Sequence, residues 1–264
     1  MLSPIYTRGM AAVSASLRFY AELNDFLPPE RRARDLACAV NRASVKDLIE
    51  RFGVPHTEVD LVLVNGESVG FDYIVRDGDR ISVYPVFESL DIAAVSRVRP
   101  EPLRVLRFVA DGHLGKLARY LRFLGFDTLY SPDLDDDELA RISASEGRVL
   151  LTRDRGLLRR SMVERGYCVR DDDPGRQLEE VVRRFDLARI AQPLQRCPRC
   201  NGEMVEVEKS RILDRLEPKT RRYYDRFFQC QECEQIYWPG SHHERITTFL
   251  QDMLARNGGR AAAE

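Results

Sequence analysis

From Leu103 to Leu187, short apolar runs alternate with stretches of helical period, and that alternation leaves few folds open. The apolar runs are Val105 to Ala110, Phe126 to Tyr130, Arg148 to Thr152 and Tyr167 to Arg170. Between the first two, Leu114, Leu117, Ala118, Leu121 and Leu124 recur at helical spacing, closed by Gly125. Asp136 to Glu146, Leu157 to Met162 and Gly175 to Leu187 read as further helices. Strands separated by helices pair in parallel, and the crossover helices cover the sheet. The expected fold class is α/β, with a parallel sheet and helices on both faces. Ligands of such sheets gather in the crevice at the carboxyl ends of the strands.

Each strand end carries acid. Asp111 follows the first strand, and Asp133, Asp135, Asp136 and Asp137 lie between the second strand and its helix. Asp154 follows the third strand, and Asp171, Asp172 and Asp173 follow the fourth. Each position also precedes a helix, where aspartate is a favoured N-cap; Asp136-Asp137 and Asp173-Pro174 have the form of helix starts. Taken together, acids converging on one crevice repel one another unless a cation or a bound proton offsets them. Hard oxygen donors suit magnesium or manganese, which can activate water for phosphodiester hydrolysis. Helix capping and a metal-dependent phosphotransfer site both remain open on the residues alone.

Other motifs fall short. Gly112-His113-Leu114-Gly115-Lys116 is too short for a phosphate loop, and Leu117 stands where a Ser or Thr is needed. No G-x-G-x-x-G follows a strand, and no G-x-S-x-G elbow is present. His113 beside Asp111 reads as a surface residue or as a general acid or base. Lys116, Arg119 and Arg122 follow Asp111 on one helix, and Arg153 and Arg155 flank Asp154. These cations read either as a solvated face or as contacts to substrate phosphates, with Lys116, Arg119 and Arg153 the chosen candidates.

The N-terminal part is different. Leu17 and Phe19 alternate with polar residues, Ser44 can cap a helix to Phe52, and Asn65-Gly66 between Val59–Val64 and further strand-like sequence signals a hairpin. Asp77-Gly78-Asp79 and Arg80 to Pro85 close a small α+β unit, expected over 14–90. The run VDLVLVNGESVGFDYIVRDGDRISVYPVFE resembles the ubiquitin-like β-grasp domains related to small sulfur carriers. Such carriers need a free Gly-Gly end; here the domain runs into Phe87-Glu88-Ser89-Leu90, and Gly258-Gly259 lies far downstream. A binding or scaffolding role toward a protein partner is the expectation. Asp91 to Pro102, with two prolines, reads as a linker.

Four of the six cysteines form two knuckles, Cys197-Pro198-Arg199-Cys200 and Cys230-Gln231-Glu232-Cys233. Four thiolates at that spacing suit structural zinc in a ribbon, expected within 195–255. His242 or His243 could replace one sulfur; Cys38 and Cys168 read as ordinary buried thiols. Between the knuckles, Lys209 to Phe228 interleaves cations with aromatics, including Arg222 and Tyr223. Such a run suits single-stranded nucleic acid, or else packs its rings inside the module.

FVADGHLGKLARYLRFLGFDT, DDDELARISASEGRVLLTRDRGLL and CVRDDDPGRQLEEV, continuing through the cysteine module, resemble the Mut-seven C-terminal ribonuclease family of PIN-like domains. A β-grasp domain in front is a companion in that family. The resemblance implies a PIN-like nuclease domain over 103–190 that cleaves RNA with Mg²⁺ or Mn²⁺. It implies Asp111, Asp136, Asp154 and Asp172 as the metal-holding acids, with Asp171 and Asp173 as near-equivalents of the last. The RNA could be tRNA, rRNA or the ribosome. The alternative is an RNA- or ribonucleoprotein-binding protein that does not cut.

Composition adds bounds. Hydrophobic residues make up 44% and charged residues 31%, as in globular chains, and the net charge of −1 means that any polyanion site is local. No apolar run approaches the roughly 20 residues of a membrane span, and no secretion signal is evident, so a cytoplasmic protein without a membrane partner is expected. Residues 1–13 and 257–264 are expected to be tails.

Overall fold

The computed structural model describes residues 13–85, 95–98, 105–240 and 248. The chain divides into two compact units, Met1–Arg104 with Asp154–Tyr167, and Val105–Arg153 with Cys168–Glu264.

In the first unit, β1 (Val13–Phe19), β2 (Leu36–Val40), α1 (Val45–Arg51), β3 (Val59–Val64), β4 (Glu67–Ser68) and β5 (Arg80–Pro85) follow in order. The sheet order is β2-β1-β5-β3-β4, with β1 and β5 parallel and the other pairs antiparallel, a β-grasp arrangement. Ser44 starts α1 with a capping box: its hydroxyl accepts from Asp47 N at 3.1 Å and Asp47 accepts from Ser44 N at 3.3 Å. Asn65 and Gly66 both have positive φ, as the two-residue hairpin between β3 and β4 requires. Leu17, Leu23, Val45, Ile49, Val62 and Val83 are fully buried, so one face of the sheet and α1 form the core.

Strand β2 has no counterpart in the sequence reading. Its residues Leu36-Ala37-Cys38-Ala39-Val40 are nearly all apolar, so no period-2 contrast marks it. It is an edge strand, and Cys38 is correspondingly half-buried rather than buried, its thiol donating to Ala15 O at 3.3 Å. Cys168 is buried as expected.

Segment 154–167 belongs to this unit and is held by named contacts. His56 is buried, with Nε2 at 2.9 Å from Val163 O and Nδ1 at 2.7 Å from Glu50 Oε1. Arg155 lies over the Phe26 ring at 4.8 Å. Helix α4 spans Arg155–Leu158, shorter and earlier than the expected 157–162, because the Asp154 carboxylate accepts from Gly156 N at 2.6 Å and starts it there.

The second unit holds β6 (Phe108–Ala110), α2 (Gly115–Phe123), β7 (Thr128–Tyr130), α3 (Asp136–Glu146) and β8 (Val149–Thr152). Next in the chain come β9 (Gly166–Cys168), whose first two residues are counted with the first unit, then α5 (Pro174–Arg184), β10 (Met204–Val207), α6 (Pro218–Tyr223), β11 (Phe227–Cys230) and β12 (Ile236–Tyr237). The first four strands order as β7-β6-β8-β9, with β6 parallel to both neighbours and helices flanking the sheet. Crossovers of the usual right hand, first to one side of β6 and then to the other, would put α2 and α3 on opposite faces. Phe108, Val109, Ala110, Leu150 and Leu151 are fully buried, which explains the unbroken apolar runs. The last three strands form a small antiparallel sheet, β10-β11-β12.

The expected linker lies outside the described residues except for 95–98, as do Gly258-Gly259 and both expected tails apart from Val13, which opens β1. No helix among the described residues is long and apolar enough to cross a membrane.

Candidate functional site

In the sheet order β7-β6-β8-β9 the chain leaves β6 toward one edge and β8 toward the other. The point where the strand order reverses therefore lies between the carboxyl ends of β6 and β8, where α/β sheets place their ligands. Asp111 is the first residue after β6, and its Oδ2 accepts a 2.6 Å hydrogen bond from Thr152 Oγ1 at the end of β8. Asp111 N also donates to Leu151 O at 3.0 Å. Thr152 is completely buried, so the carboxylate is fixed from the protein side.

The next residue, Arg153, forms an ion pair with Asp172, which follows β9. Two consecutive residues at the end of β8 thus engage two of the expected acids, Asp111 and Asp172. Asp172 is 86% exposed. Its neighbours are occupied otherwise: Asp173 caps α5 by accepting from Gly175 N and Arg176 N, and Asp171 accepts from Asp173 N at 2.9 Å. Asp135 caps α3 in a capping box with Glu138, which leaves Asp136 exposed at the first helical position. Asp154 caps α4 in the first unit. Among the described residues no three of these carboxylates come close enough together to form a metal-holding group.

Lys116 and Arg119 are exposed on α2 without ion-pair partners among the described residues. Arg122 points inward and is 5% exposed; its Nε donates to Thr128 O at 2.8 Å and Nη1 to Arg199 O at 3.1 Å. Sequence reasoning grouped it with its two neighbours, but its neighbour in the helix, Leu121, shares its burial.

Among the described residues, the four cysteines are the one group of three or more acidic, His or Cys side chains that could hold a metal; their sulfurs all lie within 4.8 Å of one another. Cys197 and Cys233 are 3.7 Å apart and Cys200 and Cys230 3.4 Å. A tetrahedral ion with metal–sulfur bonds of about 2.3 Å needs sulfurs about 3.8 Å apart, so the cluster could bind a structural zinc. Burial raises the Cys197 thiol, but hydrogen bonds from Tyr237 and from the Cys200 and Arg199 backbone bring it down to about 7. Burial pushes Cys200 up to about 12. His242 and His243 lie outside the described residues.

The stretch between the knuckles keeps most of its rings for itself. Phe227 packs with Ile212, Leu216 and Ile236, flanked by Tyr224 and Trp238, while Phe228 joins Cys197, Met204 and Cys230. Several cations are paired, Lys209 with Asp225 at 2.7 Å and Arg226 with Glu206 at 3.0 Å. Tyr223 is the exception: it is 67% exposed, with Arg222 over its ring at 5.5 Å.

The first knuckle docks on the parallel sheet through side chains that the sequence did not mark. Asn201 accepts from Thr128 N at 2.9 Å and donates to Asp127 at 2.7 Å, and Asp127 pairs with the buried Arg148 at 2.8 Å. Neither an Asp before a strand nor an Asn after a knuckle carries a motif that would reveal the pairing.

No curated protein matches the chain. Two family models do, the Mut7-C ubiquitin domain over residues 12–91 and the Mut7-C RNAse domain over residues 106–250. The second spans more than half of the chain, which belongs to the Mut7-C RNAse domain family.

Proposed function

We propose that this chain is a divalent-metal-dependent ribonuclease that hydrolyses RNA phosphodiester bonds at the carboxyl edge of its parallel sheet. The observation that carries the reading is Asp111 at the switch point, fixed by the buried hydroxyl of Thr152 in a domain of the RNAse family. Asp111, Asp136, Asp154 and Asp172 would hold Mg²⁺ or Mn²⁺. Such an ion, when bound, supplies an activated water and charge neutralisation at the phosphate. The chain's own contributions are local. Thr152 fixes the carboxylate of Asp111, and Arg153 holds Asp172 until a phosphate competes for its guanidinium. Lys116 and Arg119 offer phosphate contacts along α2, and Arg222 with Tyr223 offers a cation and a ring for a base.

The four cysteines would hold a structural zinc, and the ubiquitin-like domain would engage a protein partner. A cytoplasmic setting is part of the proposal.

A second reading, RNA binding without cleavage, is favoured by one observation: Asp172 is already neutralised by Arg153. The test is cleavage of labelled single-stranded RNA, structured RNA and single-stranded DNA with Mn²⁺, Mg²⁺ or neither. Metal-dependent RNA cutting that disappears in folded, zinc-loaded Asp111→Asn, Asp154→Asn protein supports the nuclease. Equal RNA binding by both proteins with cutting by neither leaves the binding reading.

A further inference from the structure

A cavity of about 440 Å³ opens between α2 and the cysteine knuckles, within the roughly 300–1,000 Å³ typical of small-ligand sites. Arg119, Arg122, Tyr130, Arg199, Gln235 and Tyr237 line it, and no carboxylate does. Arg122 is committed to the carbonyls of Thr128 and Arg199, which brings the knuckle up to the helix and makes one wall. Arg119 and Arg199 are exposed and have no carboxylate partner among the described residues. Two guanidinium groups without a carboxylate partner favour an anion, and a guanidinium is a phosphate ligand by geometry as well as by charge.

The rings are held in place. Tyr130 Oη donates to Gly112 O at 3.1 Å, and Tyr237 Oη lies 3.2 Å from Cys197 Sγ. Gly115 allows the first of these: a Cβ there would come within 2.6 Å of Tyr130 Oη and 2.7 Å of its ring. The glycine at the start of α2 thus fits a ring that lies on the backbone. Fixed aromatic walls beside free cations are the elements that hold a base and its phosphate.

Resting on the reading that the chain handles RNA, we propose that this cleft is a nucleotide site. Arg119 and Arg199 take the phosphate of a single-stranded RNA, and the base lies against Tyr130 and Tyr237. The phosphate belongs either to a 5′ end or to an internal nucleotide. The cleft adjoins Asp111 in the chain, since Gly112 and Gly115 both shape it.

The test is fluorescence anisotropy of a 3′-labelled RNA tetranucleotide, with a 5′-phosphate or a 5′-hydroxyl. The protein is the full, zinc-loaded chain carrying Asp111→Asn to prevent cutting. Arg119→Ala and Arg199→Ala are each expected to weaken binding about five- to tenfold, with the salt dependence reduced by about one phosphate contact. Gly115→Ala is expected to weaken binding by displacing Tyr130. A preference of about tenfold for the 5′-phosphate identifies an end-binding site, and equal affinities an internal one. Unchanged affinity in both arginine variants overturns the proposal. Should Arg199→Ala lose zinc, Arg119→Ala alone decides. Cleavage by the chain with Asp111 intact is scored separately. Cutting that ignores the cleft variants overturns the cleft and keeps the nuclease; cleft-dependent binding without cutting does the reverse.

Discussion

Thr152 gives the Asp111 carboxylate a hydroxyl donor 2.6 Å away in a fully buried position. A hydrogen bond to a charged group contributes about 1.5–3 kcal/mol, so its loss should be felt at the carboxylate before it is felt in the fold. Thr152→Val keeps the volume and removes the donor. The expected outcome is about a tenfold loss of cleavage with a raised Mn²⁺ requirement and a melting temperature within a few degrees of the parent. A metal requirement that does not move would remove Thr152 from the positioning role. Asp111 was legible in the sequence because an apolar strand ends on it. Thr152 was not, because a threonine at a strand end is also an ordinary β-former. The acids after β7 and β9 show the same limit from the other side. Asp135 and Asp173 cap helices while Asp136 and Asp172 beside them do not, and identical residue types in a row give no sequence-level way to divide those tasks.

Elements are joined by ion pairs that periodicity cannot show. Asp127 precedes β7, and burial raises its carboxyl, but hydrogen bonds from Arg148 and Asn201 outweigh that and hold it below the usual carboxylate range. Because its folded value is depressed, the stabilisation is present at neutral pH and is lost as the pH falls through that depressed value. Asp127→Asn leaves the buried Arg148 with Glu146 as its remaining carboxylate partner, at a cost of about 1–3 kcal/mol at neutral pH. The expected outcome is a lower melting temperature at neutral pH, with parent and variant converging on strong acidification. A constant gap between them across pH would sink the assignment. In the first unit, His56→Ala should free Val163 and the α4 segment from α1, since it removes the contacts to Glu50 and to Val163 O together. Hydrogen exchange in residues 154–167 is expected to rise at least tenfold while β1, β3 and β5 stay protected. The alternation of strands and helices in the second unit was plain in the sequence, because buried parallel strands are uniformly apolar and their helices are not. Strand β2 and the early start of α4 were hidden by small residues and by a cap.

At the scale of the whole molecule, the C-terminal module stands on a small core among its described residues. Among those residues two clusters of four buried side chains each form it, and two of those eight are cysteines of the group that could hold a metal. So small a core rarely supplies enough burial on its own, and a metal that binds only the folded state adds its binding energy to folding. The four thiols must lose protons to bind, and they do so unequally, Cys197 at about 7 and Cys200 only near 12 without a cation. Metal affinity should therefore fall as the pH is lowered, because protons compete for the same sulfurs. The knuckle also carries Asn201 and the carbonyl of Arg199, which bind Thr128 and Arg122, so a collapsed module withdraws support from the start of β7 and from α2. Cys233→Ser, or a strong zinc chelator, is expected to expose 195–240 to protease first. It should then lower the melting temperature of the parallel-sheet domain, with metal released faster at pH 5 than at pH 8. If protease leaves the stripped module intact, its stability comes from the two clusters alone; if the module is digested while the sheet domain melts unchanged, the Arg122 and Asn201 contacts carry no coupling between them.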